Sequence, residues 1–116
     1  AALMASTLKL EKLTAFIDFN KWQATGRSEE IMTLQPLGEK WSSFGWNVYE
    51  IDGHNFEEIE NALQKSKKNN GKPNLIIANT IKGKGVSFME NNNNWHYRTP
   101  NEKEYKEAIK EIEEVK

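Results

Sequence analysis

The run Asn74 to Asn79 (NLIIAN) constrains this chain more than any other stretch, because a segment so short and so apolar reads as a buried strand. Two further runs have the same character. Leu13 to Phe19 (LTAFIDF) is apolar and rich in aromatic and β-branched residues, and Trp46 to Ile51 (WNVYEI) is a second strand candidate between them. Helical patterns separate the runs. Pro36 to Phe44 reads as a short helix, with Pro36 suited to its first turn and Gly45 to its end. Asn55 can cap another, Glu58 completes a capping box, and Phe56, Ile59 and Leu63 recur at helical spacing. Strands alternating with helices imply crossover connections and a parallel sheet covered on both faces. The predicted fold class is therefore α/β, a partial three-layer α/β/α sandwich.

The flanks are helical. Ala1 to Leu10 has good helix formers, with Leu3, Met4, Thr7, Leu8 and Leu10 on an apolar side, and it begins without a capping residue. That abrupt start, with only three strands, predicts an incomplete α/β domain over residues 1–116. Thr99-Pro100-Asn101-Glu102 predicts the last helix, with Thr99 as cap, Pro100 as first helical residue and Glu102 closing the box. Tyr105, Ala108, Ile109 and Ile112 form its inward stripe. Asn20 to Gln35 reads as a loop, Lys65 to Lys72 as a solvated helix end and turn, and Thr80 to Arg98 as a long loop. Loops beyond roughly 12–15 residues are usually functional or disordered.

Composition removes several functions. A net charge of −1 gives no long-range field for nucleic acid, membrane or an acidic partner. The chain has 0 cysteines, which excludes disulfides and thiolate metal sites and fits a reducing compartment. No apolar run approaches the length of a membrane span.

In open parallel sheets, ligands bind beyond the carboxyl ends of the strands. Three segments leave those ends here: Asn20 to Gly26, Asp52 to Asn55, and Thr80 to Arg98. In the first, an asparagine amide and a nearby main-chain carbonyl are neutral oxygen donors suited to part of a Mg²⁺ shell, although a plain strand-end cap explains Asn20 as well. In the second, Gly53 permits an unusual backbone angle and His54 is best read as a hydrogen-bonded structural residue. In the third, Lys82 and Lys84 fit no P-loop spacing and read as flexible surface loop. The crowded Trp95, His96, Tyr97 and Arg98 leave two readings level: His96 as a proton-transfer or phosphate contact, and the packing of a loop lid.

These pieces resemble a family. Leu13 to Gly26 (LTAFIDFNKWQATG) is similar to the end of the thiamine diphosphate motif of transketolases, which opens upstream with Gly-Asp-Gly and closes with an asparagine. Gln35 to Ala62, with FGW, IDGH and NFEEIENA, resembles the segment that follows. Asn74 to Pro100 resembles the stretch ending in a tryptophan-histidine loop, most of all in TIKGKGVSFME. The resemblance implies the thiamine diphosphate-binding fold without its Gly-Asp-Gly half. It also implies a cytoplasmic transferase of the pentose phosphate type that moves a two-carbon ketol unit between sugar phosphates.

By that resemblance Asn20 matches the Mg²⁺-binding asparagine, and Trp22 falls where the family offers a main-chain carbonyl to the metal. Ala24 sits where a residue packs against the cofactor, and His96 looks like the histidine that reaches the diphosphate and the sugar. The implied partner is the remainder of the enzyme, a pyrimidine-binding domain or C-terminal subunit, in a dimer; the segment alone would be inactive. Trp22 is bulky where relatives are often aliphatic, Asn79 stands where they often have lysine, and His96-Tyr97 replaces Gly-His after the loop tryptophan. Another thiamine diphosphate enzyme, of the deoxyxylulose phosphate synthase or 2-oxoacid dehydrogenase type, is one alternative. A non-enzymatic module for single-stranded nucleic acid is the other, and balanced charge weighs against it.

Overall fold

In the computed structural model, which describes residues 1–68 and 70–114, NLIIAN is the middle strand of a three-stranded sheet. The elements run α1 (Ala2–Thr7), β1 (Thr14–Phe19), β2 (Trp22–Gln23), β3 (Gly26–Arg27), α2 (Ser28–Ile31), α3 (Leu37–Ser43), β4 (Asn47–Asp52), α4 (Phe56–Ser66), β5 (Asn74–Asn79), a 3-10 turn (Asn93–His96) and α5 (Glu102–Glu114). The sheet order is β1-β5-β4 and both pairings are parallel, Thr14 and Asn47 each standing opposite Asn74. With partners on both sides, β5 has no free edge, and its apolar side chains serve both faces.

Those faces hold separate cores. Leu75 and Ile77 point one way, into a cluster with Ala5 of α1, Leu37 of α3, Phe19 and Trp46. Ile76 and Ala78 point the other way, against Ile51 and Ala62 of α4. Helices therefore cover the sheet on both sides, as the alternating pattern predicts. Leu75, Ile76 and Ile77 are at most 1% exposed, so each removes a whole side chain from water, roughly 1.5–3 kcal/mol apiece.

Polar order at the amino end of β5 rests on Asn74, which is completely buried. Its Nδ2 donates to the carbonyls of Glu11 (3.2 Å) and Ser66 (3.1 Å), and its Oδ1 accepts from Asn47 Nδ2 at 3.0 Å. A buried amide must satisfy its donors and acceptor inside the protein, and this one does.

Several local expectations need correcting. The loop expected over Asn20 to Gln35 contains an antiparallel hairpin, β2 paired with β3, and the short helix α2. The last helix begins two residues later than its sequence pattern suggests. Asn101 accepts from Glu104 N–H at 3.0 Å and Glu104 accepts from Asn101 N–H at 2.8 Å, a reciprocal box in that register. This register also lets Glu104 pair with Arg98, whereas Glu102 faces outward to Lys106. Of the expected inward stripe, Ala108 is buried while Tyr105, Ile109 and Ile112 stay 38–56% exposed among the described residues. Glu111 ties the helix down instead, accepting from the backbone N–H and hydroxyl of Ser87.

Helix α1 is shorter than expected and buries Ala5, leaving Leu3, Met4, Leu8 and Leu10 exposed. Asn55 caps α4 by accepting from the N–H groups of Glu57 and Glu58. Glu58 does not close the box on Asn55 N–H; its carboxylate accepts from Asp52 N–H at 2.8 Å. Asn69, in the expected polar turn, and Val115 and Lys116 at the end of the 1–116 span lie outside the described residues. No helix among the described residues is long and apolar enough to cross a membrane.

Candidate functional site at the carboxyl ends of the strands

All three segments that leave the strand ends are tied to one another. Asn20 follows β1 directly, and its Oδ1 accepts from Trp22 N–H at 2.9 Å, which turns the chain into the β2–β3 hairpin. Lys21 between them takes a left-handed backbone, φ +70°, unusual for a residue with a side chain. The Asp52–Asn55 turn is pinned to the end of β5 by Gly53 N–H, which donates to Asn79 carbonyl at 2.8 Å. Gly53 is required by crowding and not by its backbone angle: a Cβ there would lie 2.5 Å from Thr80 Cγ2 and 3.2 Å from Asn79 O. His54 has the structural role expected of it, with Nε2 accepting from Ile81 N–H at 2.8 Å.

The stretch expected to be a flexible lysine loop is built from tight turns instead. Lys84 N–H donates to Ile81 O, Val86 N–H to Gly83 O, and Asn91 N–H closes back on Lys82 O at 2.8 Å. Its far end reaches the hairpin. Asn91 Oδ1 accepts from both Trp22 Nε1 and Arg27 Nη1, each at 2.9 Å, and Arg27 lies 3.8 Å over the Trp22 ring. Asn93 Nδ2 donates to the carbonyls of Gln23 and Ala24, both at 3.1 Å. The same amide leaves Asn93 Oδ1 buried without a partner.

The structure thus brings the segment with Asn20, Trp22 and Ala24 against the loop whose 3-10 turn ends at His96. Asn20 and Trp22 are half-buried; Ala24, at the hairpin tip, and His96 are exposed. His96 meets the Tyr97 ring edge-on with centroids 4.5 Å apart. Trp95 next to it is fixed by Nε1 donating to Phe88 O (3.1 Å) and by Arg98 over its ring at 4.5 Å.

Charge at this end lies on a chain of side chains crossing the strands. Lys21 Nζ donates to Asn79 Oδ1, and Asn79 Nδ2 donates to Glu50 Oε1 at 2.9 Å. Burial of Lys21 lowers its ammonium pKa from the ordinary lysine value, and Glu50 and Glu29 partly offset this. Sequence reading missed Lys21, Asn91 and Asn93. The two asparagines sit in a four-residue asparagine run that has the composition of a plain loop.

A hard cation could be met here only in part. A carboxamide oxygen has two lone pairs; the Trp22 N–H uses one on Asn20, leaving one for a metal. Neutral oxygens of this type suit Mg²⁺. Among the described residues no group of three or more His, Asp or Glu could hold an ion, so the remaining ligands must come from elsewhere.

Residues 1–113 match the family model described as transketolase, thiamine diphosphate binding domain. The chain belongs to the transketolase family. It is 46% identical over 113 residues to a 6-deoxy-6-sulfo-D-fructose transketolase subunit of Clostridium sp., covering 97% of this chain and 41% of that protein. It is 40% identical over 114 residues to an apulose-4-phosphate transketolase of Phocaeicola vulgatus, covering 98% of this chain and 41% of the relative. The chain thus spans about two-fifths of the length of these relatives. Campylobacter jejuni transketolase superposes with a TM-score of 0.89 at 28% identity, over 97% of this chain and 17% of that one. The family match makes this a thiamine diphosphate-binding domain with the α/β fold expected of it.

Proposed function

We propose that this chain is part of a transketolase that transfers a two-carbon ketol unit from a ketose to an aldose, both carrying an anionic group such as phosphate. Residues 1–116 would form the second half of a thiamine diphosphate-binding domain, with a Gly-Asp-Gly half upstream. A pyrimidine-binding domain or second subunit would complete the site in a dimer, and the segment alone would be inactive. The names of the sulfofructose and apulose phosphate relatives favour a transketolase over other enzymes using the same cofactor, and leave the sugar open.

One observation carries the reading: in a chain of this family, the Asn20 turn and the His96 loop are stitched together at the carboxyl ends of parallel strands. Asn20 Oδ1 and the Trp22 carbonyl would hold Mg²⁺ beside the diphosphate. The Ala24 tip would pack on the cofactor, and His96 would reach the diphosphate and the sugar. Thiamine diphosphate supplies the carbanion chemistry when bound, while the protein supplies position and electrostatics. His96 is exposed and free to move a proton at a sugar hydroxyl.

The test is Asn20→Ala in the full-length protein, with thiamine diphosphate affinity measured across a Mg²⁺ titration. Losing one charge-assisted ligand of about 1.5–3 kcal/mol should weaken binding about 10- to 100-fold at limiting Mg²⁺. Unchanged affinity would refute the assignment.

A further inference from the structure

The Trp22 side chain has a task that a main-chain ligand does not require. If only the Trp22 carbonyl mattered, any side chain would serve. Instead, the indole N–H and the Arg27 guanidinium converge on the single oxygen Asn91 Oδ1, each at 2.9 Å, while Arg27 stacks on the indole at 3.8 Å. The acceptor is 69 residues from Trp22 in sequence, so these bonds join segments that the backbone does not hold side by side. Asn91 adopts a left-handed backbone, φ +55°, a conformation that asparagine tolerates better than most residues. Two residues on, Asn93 Nδ2 grips the Gln23 and Ala24 carbonyls, and the 3-10 turn ending at His96 begins there.

We infer that the Trp22 indole, Arg27 and Asn91 form a latch that fixes the hairpin's main-chain carbonyls against the loop bearing His96. Trp22 and Asn91 are then positioning residues, setting where the metal-facing backbone lies relative to the histidine. This inference rests on the reading of Asn20 and Trp22 given above. An unlatched hairpin would still fold, because Asn20 turns it and β3 pairs with it, but its carbonyls would sample a wider range of positions. The loss should therefore appear in metal-dependent cofactor binding before it appears in folding.

Trp22→Phe keeps the carbonyl and a ring for Arg27 but deletes the donor, and Asn91→Ala deletes the acceptor. In the full-length protein in its native assembly, each should raise the thiamine diphosphate Kd about 3- to 10-fold at limiting Mg²⁺, the range of one net hydrogen bond. The double variant should be within about 2-fold of the worse single one, since both remove the same link. The melting temperature of the cofactor-free protein should move by no more than about 2 °C. Unchanged Kd in both single variants, or losses that multiply independently in the double, would overturn the latch. Asn20→Ala separates the two failures. If it weakens binding while the latch variants do not, only the latch is wrong; if all three are silent, the site reading falls with it.

Discussion

The two asparagines that bracket β5 do different things at opposite ends of one strand. Asn74 is completely buried, and two of its partners are main-chain carbonyls from neighbouring elements. Asn79 is half-buried, and its amide joins two titratable side chains, Lys21 and Glu50. An amide satisfied by backbone fixes where strands start; an amide strung between charges fixes where charge stands. The amino end of this sheet is thus devoted to assembly, and the carboxyl end leaves groups available to something outside the chain.

Exchanging the amides' roles should break the symmetry most visibly. Asn74→Leu would strand the Glu11 and Ser66 carbonyls and the Asn47 amide, at roughly 1–3 kcal/mol for each group left buried. Denaturant unfolding of the full-length protein should record a loss of about 3 kcal/mol or more, against about 1 kcal/mol or less for Asn79→Ala. Equal losses would remove the distinction.

A pH titration sharpens it further. Glu111 has its pKa lowered by the Ser87 backbone N–H and then by the Ser87 hydroxyl, and Glu104 chiefly by Asn101 N–H. A carboxylate depressed in the folded state adds stability above its unfolded pKa and loses it as pH falls through the folded one. Amide exchange at Ser87 and Asn101 should therefore quicken in acid below the ordinary glutamate value of 4.5, while the Asn74 region, which uses neutral amides, stays protected. The smallest structural effect belongs to His96→Ala. An exposed side chain should change stability by about 0.5 kcal/mol or less. Turnover in the full-length protein should nonetheless fall by about 10²-fold if the residue handles a proton.

What sequence pattern revealed follows the same division. Apolar burial leaves a periodic trace, so β1, β4 and β5 are readable to within about a residue, and NLIIAN announces its own position at the centre. Polar stitching leaves none. Asn91 and Asn93 bond to residues 64–70 positions away, and nothing local distinguishes them from Asn92 and Asn94. The late start of α5 failed for a related reason: Thr99–Glu102 and Asn101–Glu104 both satisfy the box pattern, and the distant-looking Arg98 contact accompanies only the second. Family resemblance placed Asn20 and His96 among the candidates, whereas residue chemistry alone left each with a plain structural alternative.

The order β1-β5-β4 also has a consequence for synthesis on the ribosome. The first and second strands of the sheet to emerge do not pair with each other; both wait for the one translated last, which ends at Asn79. Until then the nascent chain carries two unpaired strand edges, the kind of surface that chaperones shield and aggregation exploits. Its most apolar strand arrives last and closes both edges at once.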